Sequence, residues 1–151
     1  MELVGAKNQH TALRQIHKHL KHDGVSICTL HNPAQRLQAV TGRLSFIGEH
    51  NLPDGGKLAV SSVERYFGES GIVKGVQYFE IYDETGYLIQ KRRLEIMFNL
   101  IRPDDFGDMI KNAGFRVREL YGDYDKSAYD PASSPFLIYF LSKFYTAKED
   151  V

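Results

Sequence analysis

The sequence predicts an α/β fold in which part of a sheet-and-helix core is interrupted by an antiparallel β-meander. Three observations carry this expectation. An amphipathic segment over 8–21 passes through a two- or three-residue turn into the apolar, β-branched run Val25–Leu30, the shape of half a βαβ unit. Three strand-like segments follow between residues 58 and 100, two of them joined by a hairpin turn. The last third, Ile101–Lys143, then reads as helix, strand, long polar loop and a final apolar strand.

Each element has its local reason. In the first helix Leu13, Ile16 and Leu20 fall at i, i+3 and i+7, with Arg14, Gln15, Lys18 and Lys21 between them. Cations near its end suit the helix dipole. His22-Asp23-Gly24 makes the turn, and Val25–Leu30 reads as a strand buried on both faces of a parallel sheet. Pro33 ends it, and residues 34–57 are broken by Gly42, Gly48, Pro53, Gly55 and Gly56, which exclude a long element. Strands are predicted at Leu58–Phe67, Gly75–Asp83 and Tyr87–Leu100, with the turn at Asp83-Glu84-Thr85-Gly86. In the third, Leu94, Ile96, Phe98 and Leu100 alternate with Glu95, Met97 and Asn99, so one face is apolar and the other wet.

A helix follows, with Pro103 at its first position and Asp104 and Asp105 where the positive helix end favours them. Phe106, Met109, Ile110 and Ala113 form its stripe, and Gly114 is placed to terminate it. Gly107 inside this helix costs about 1 kcal/mol against alanine. Arg116–Leu120 and Phe136–Leu141 are the last two strands, bracketing a loop over 121–135. Residues 146–151 read as a frayed tail.

With 151 residues the chain is expected to be one domain that buries roughly two-thirds of its unfolded surface. Lysine plus arginine equals aspartate plus glutamate, 19 each, so no global field draws it to nucleic acid or an anionic membrane. A single cysteine, Cys28, excludes an internal disulfide and fits a reducing compartment. No apolar run approaches the ~20 residues of a membrane span, and the start does not read as a signal peptide. The expectation is a cytoplasmic protein without membrane or nucleic-acid partners.

Two segments add a family resemblance. LRQIHKHLKHDGVSICTLHNP (13–33) resembles the helix, turn and strand of class I S-adenosylmethionine-dependent methyltransferases, with His22-Asp23-Gly24 where proline-glycine-glycine is usual. Within 101–143, Asn112-Ala113-Gly114-Phe115 resembles that family's helix exit. Tyr121-Gly122-Asp123-Tyr124-Asp125, followed by a serine and an apolar strand, resembles a subgroup acting on small molecules. The resemblance covers roughly 8–143 and implies a partial Rossmann-like methyltransferase fold, its C-terminal half. Residues 8–33 would give a helix and core strand, 34–100 an insertion holding the meander, and 101–145 the closing helix and two strands.

The resemblance also implies S-adenosylmethionine as cofactor of a full-length enzyme, bound on a glycine-rich turn between strand and helix and by an acidic residue after the next strand. Neither feature has a counterpart here: Gly55-Gly56 precedes a strand. No cofactor-binding residue is assigned, and the chain alone is expected to bind the cofactor weakly or not at all and to be inactive. Its expected part is the substrate side of an enzyme with a small-molecule acceptor. The alternative is a non-catalytic binding or oligomeric interaction module derived from the same half-domain.

Ligands of open α/β sheets bind beyond the carboxyl ends of the strands, which selects the site residues. His31, just past such an end, is the candidate proton acceptor; Asn32, Tyr121, Asp123 and Tyr124 are candidate substrate contacts. The competing readings are a loop histidine bonded to backbone, an asparagine turn before proline, and loop aromatics that only pack. Tyr66, Tyr78 and Tyr82 read as sheet packing, and Lys91-Arg92-Arg93 as a solvated strand edge. Of His10, His17, His19 and His22 only His19 and His22 share a helix face, and no acidic residue completes a ligand set, so no metal is expected. A sheet cut in mid-fold exposes a strand edge and a helix face, which predicts a homo-oligomer with the N-terminal helix and strand at the contact.

Overall fold

The computed structural model describes residues 2–144. In chain order the elements are α1 (Ala6–His19), β1 (Ser26–His31), α2 (Pro33–Ala39), β2 (Ser45–Asn51), β3 (Lys57–Phe67), β4 (Ile72–Tyr82), β5 (Leu88–Asn99), α3 (Pro103–Asn112), β6 (Phe115–Tyr121) and β7 (Phe136–Lys143). They divide into two compact units, one formed by the chain up to Arg36 with Asn99 onward, the other by Leu37–Phe98. The tail expected over 146–151 lies outside the described residues.

The first unit holds a three-stranded sheet in the order β1-β7-β6, with both pairings antiparallel. Register sets its two faces. Leu30 lies opposite Leu137 and Cys28 opposite Tyr139, so these four share one face, and they pack into a single cluster with Leu13 of α1 and Phe106 and Ile110 of α3. Leu13, Leu137 and Leu141 are buried to 1% exposure or less, and each such side chain favours folding by about 1.5–3 kcal/mol.

Helix α3 forms where its sequence says it should. Pro103 opens it, Asp104 and Asp105 occupy its first turn, and Phe106 and Ile110 are its buried residues. Gly114 follows with φ +83°, and a β-carbon there would also stand 3.0 Å from His17 Nε2. The His17 ring in turn meets Phe115 edge-on, with centroids 5.1 Å apart. The helix exit thus locks α1 to the start of β6.

Val25–Leu30 does not lie between parallel neighbours and is not buried on both faces. Its hydrogen-bonded neighbour is the antiparallel β7, and Ile27 is 58% exposed. A short β-branched apolar run looks the same whether one face or two are covered. In this sheet the strand with β-partners on both sides is β7, Phe-Leu-Ile-Tyr-Phe-Leu-Ser-Lys, where Leu137, Ile138, Tyr139 and Leu141 are all buried.

The second unit is a four-stranded sheet in the order β2-β3-β4-β5. β3 and β4 pair over eleven residues each, from Lys57 opposite Tyr82 to Phe67 opposite Ile72. The turn between β4 and β5 falls at the expected residues. Gly86 N–H donates to the Asp83 carbonyl at 3.0 Å and Asp83 N–H to that of Tyr87 at 2.9 Å. Asp83 Oδ1 accepts from the Thr85 hydroxyl and from the Thr85 and Tyr87 amides, which holds this carboxyl below its ordinary range.

Two elements of the 34–57 region, α2 and β2, went unpredicted, and β4 begins at Ile72 rather than Gly75. The alternation over 94–100 does not bury one clean face either. Ile96 and Phe98 are half-buried, whereas Leu94 is exposed. Ala59, Ser62, Glu64 and Val73 are the unit's buried strand residues, and Ser62 Oγ donates to Glu64 Oε1 at 2.8 Å. Among the described residues no helix is long and apolar enough to cross a membrane.

These burials predict opposite outcomes for two neighbouring substitutions. Leu30→Asp places an unpaired carboxylate among the core side chains and should lower stability by more than about 3 kcal/mol. Ile27→Asp, on the uncovered face, should cost within about 1 kcal/mol. Urea unfolding of the two variants measures the difference, and an equal loss for both contradicts the assigned faces.

Candidate functional site

The carboxyl end of β1 is shaped by Asn32, which is 2% exposed. Its carbonyl accepts from Gln35 N–H at 3.1 Å and Arg36 N–H at 2.8 Å, and its Oδ1 accepts from Ala34 N–H at 3.2 Å. With Pro33 as the first helical residue, this is the asparagine-proline start of a helix. The amide nitrogen donates to the carbonyls of Pro131 at 2.9 Å and Ser134 at 2.8 Å, while the backbone N–H donates to Pro135 at 2.9 Å. The side chain is therefore committed to backbone on both flanks. It fixes the 131–135 stretch against the end of β1.

His31 precedes it. Its backbone N–H donates to Glu2 Oε1 at 2.8 Å, and its Nδ1 lies 2.8 Å from Glu2 Oε2. One carboxylate thus grips both the main chain and the ring, which sets the rotamer of the imidazole and assigns Nδ1 to the carboxylate. The histidine side chain is 37% exposed and the glutamate 13%. The His31 ring rests against Phe136, its register partner on β7, with centroids 5.6 Å apart. Tyr124 also packs against Phe136, with centroids 5.3 Å apart, and is 71% exposed.

The loop carrying Tyr124 is ordered by its own polar groups. Gly122 N–H donates to the Ser127 carbonyl at 2.8 Å, and Phe136 N–H to that of Gly122 at 3.1 Å. A β-carbon on Gly122 would fall 2.1 Å from Ser134 Oγ, so only glycine lets the two ends of the loop close together. Asp123 Oδ1 accepts from Tyr124 N–H at 2.7 Å. Asp130 accepts from Ser133 Oγ at 2.6 Å and Ala132 N–H at 3.0 Å. These bonds, the Ser133 hydroxyl first, hold the Asp130 carboxyl low.

His31 and Tyr124 therefore meet around Phe136, with Asn32 fixing the loop beside them. Asp123 turns into its own loop. Tyr121 stands apart, its hydroxyl donating to Glu119 Oε2 at 2.5 Å and its ring edge-on to Phe140; the Glu119 carboxylate pushes its phenol pKa up. Sequence reasoning missed two members. Phe136 had a signal, an aromatic at the first position of the closing strand. Glu2 had none, since its partner lies 29 residues away.

The arrangement offers a positioned imidazole beside two aromatic faces. Among the described residues, the glycine-rich strand-to-helix turn that the resemblance ties to the cofactor has no counterpart. The two strand-to-helix junctions, His31-Asn32-Pro33 and Leu100-Ile101-Arg102, contain no glycine, and Gly55-Gly56 closes a turn between β2 and β3. Cys28 is buried, and loss of hydration pushes its thiol pKa up, which makes it inert. Among the described residues no three His, Cys, Asp or Glu side chains are grouped to hold a metal ion.

No family model and no curated protein matches the sequence. Solved structures do match the fold. The CcbJ methyltransferase from Streptomyces caelestis aligns over 95% of this chain and 53% of its own, with 17% identity and a TM-score of 0.70. An S-adenosylmethionine-dependent methyltransferase from Clostridium acetobutylicum aligns over 93% and 53%, with 11% identity and a TM-score of 0.76. CalS10 from Micromonospora echinaspora, an amino pentose methyltransferase solved with S-adenosylmethionine bound, aligns over 91% and 52%, with 11% identity and a TM-score of 0.60. The chain spans about half the length of the solved chains it matches, and it has the fold of the C-terminal half of S-adenosylmethionine-dependent methyltransferases, with an inserted antiparallel meander.

If Asn32 holds the loop, Asn32→Ala leaves the buried Ser134 carbonyl and the more exposed Pro131 carbonyl without this donor. The expected loss is about 1–3 kcal/mol by urea unfolding, the penalty of one buried carbonyl left without a donor. Amide exchange should quicken first over residues 121–135, and unchanged protection there would contradict the role.

Proposed function

We propose that this chain is the acceptor side of an S-adenosylmethionine-dependent methyltransferase for a small molecule, the cofactor being held outside the described residues. The observation that carries the reading is the Glu2–His31 pair beside Phe136 and Tyr124, at the carboxyl end of a core strand in a chain with this fold. That end is where open α/β sheets take their ligands. Glu2 engages Nδ1 of His31, so proton exchange with an acceptor passes through Nε2. An amine or hydroxyl acceptor must shed a proton to attack or after attacking, and an imidazole nitrogen is a group that can accept it. Tyr124 and Phe136 supply faces for a ring, and Asn32 and Asp123 keep the loop in place. Since CalS10 is an amino pentose methyltransferase, the acceptor class we favour is an amine on a small polar ring.

Two titrations test this on the labelled chain. Glucosamine should shift the ring resonances of His31 and Tyr124, and S-adenosylhomocysteine should give no calorimetric signal at micromolar concentrations. Absence of any His31 shift at tens of millimolar glucosamine overturns the acceptor-side reading. A micromolar Kd for S-adenosylhomocysteine overturns the assignment of the cofactor to residues elsewhere.

A second reading, an oligomeric interaction module, draws on the meander. Phe46 and Ile47 of β2 and Leu88 and Ile89 of β5 are all exposed, more apolar surface than strand edges ordinarily leave to water. A cytoplasmic homo-oligomer is the corresponding proposal. Sedimentation should find an assembly at tens of micromolar, and a monomer there removes this reading.

A further inference from the structure

Helix α1 breaks the charge pattern of the rest of the chain. Acids and bases balance overall, yet no aspartate or glutamate occurs between Glu2 and Asp23, a stretch that holds Lys7, Arg14, Lys18 and Lys21. At about 100° per residue Lys7, Arg14 and Lys18 fall within about 40° of arc, a straight row about 16 Å long. All three are exposed, as are Thr11, which fills the gap in the row, and Lys21, just past the C-cap Leu20. Gln9 and Leu13, on the other side, are the helix's buried residues.

Helix stability alone does not ask for this row. Lys7 stands in the first turn, where the positive end of the helix repels a cation, and no acid is there to offset it. Arg14 and Lys18, four residues apart, are a like-charge pair on adjoining turns. Elsewhere Lys57 pairs with Glu49, Lys91 with Glu80, Arg93 with Glu95 and Arg102 with Asp105. Among the described residues Lys7, Arg14, Lys18 and Lys21 have no ion-pair partner. Local choices that work against the fold belong at functional surfaces.

We propose that the outer face of α1 docks a protein partner through a helix that carries a row of carboxylates. Carboxylates repeated along one side of a helix match the row in both spacing and sign. Leu13, Ile16 and Leu20 are packed against the core, so α1 has no apolar face left to enter a bilayer. The chain's zero net charge supplies no long-range field to hold a nucleic acid. A second copy of α1 set against the first would bring like charges together. The surface is independent of the methyl-acceptor reading, because no α1 residue belongs to the His31 cluster.

Amide NMR on the labelled full chain tests it with two alanine-based peptides of one composition. In the first, glutamates recur at i, i+4, i+7 and i+11, along one side of the helix; in the second they are spread around it. The first should shift the amides of residues 6–22 with a Kd of about 1 mM or below, and bind about threefold or more tightly than the second. Arg14→Gln with Lys18→Gln, at exposed positions where glutamine is as good a helix former, should weaken it about fivefold without lowering the melting temperature. Should that double variant melt lower, Lys7→Gln alone should weaken binding about twofold. Lys111→Gln, on α3 and outside the row, should change nothing. No shift over 6–22 at several millimolar peptide, equal binding of the two peptides, undiminished binding by the glutamine variants of the row, or an equal loss in Lys111→Gln each overturns the proposal. So does tighter binding, charge for charge, to a short DNA duplex or to phosphatidylserine vesicles.

Discussion

The buried amide of Asn32 does in one place what several weaker contacts could not. Its two protons go to the Pro131 and Ser134 carbonyls and its Oδ1 takes the Ala34 amide, so the end of β1, the start of α2 and the return of the 121–135 loop are set together. Each bond is worth only about 1 kcal/mol net, but a buried carbonyl stripped of its donor loses more than that. The asymmetry makes the arrangement close to all-or-none. The position of Phe136 at the head of β7 follows from it, because Phe136 adjoins the stretch that Asn32 holds, and the exposed Tyr124 ring packs against Phe136.

β7 carries the other half of the organisation. It is the central strand of its sheet, and its sequence is apolar at nearly every position, with Leu137, Ile138, Tyr139 and Leu141 buried. On one face Leu137, Tyr139 and Leu141 join α1 and α3 in the core. On the other, Phe136 contacts both the His31 and the Tyr124 rings. Packing and site therefore share one strand, and the aromatic that gathers the site is fixed by the same register that pairs Leu137 with Leu30.

Legibility in the sequence followed locality. Helix α3 was readable to its ends because Pro103, Asp104, Asp105 and Gly114 each act on the adjoining turn, and the hairpin at 83–86 because Asp83 bonds within four residues. Helix α2 was not, since seven residues without a buried side chain show no apolar period. β2 was hidden by its register shift between Phe46 and Gly48, which breaks the alternation a strand is recognised by. The exposure of Ile27 was invisible because β-branched apolar residues suit both one-sided and two-sided strands. His31 and Tyr124 were found from their place at strand and loop ends, whereas Glu2 and the convergence on Phe136 depend on pairings across the whole chain.

Every residue of the His31 cluster belongs to the unit formed by the two ends of the chain: Glu2, His31 and Asn32 from one end, Tyr124 and Phe136 from the other. The meander enters after Arg36 and leaves before Asn99, a span of 62 residues set between two stretches of the first unit. A loop of that length costs little more to close than one half as long. The length of the insertion is therefore loosely constrained, and in the chain it is separate from the strand ends that bear the candidate site. That separation matches the division expected of a scaffold whose sheet sets geometry and whose connections set specificity.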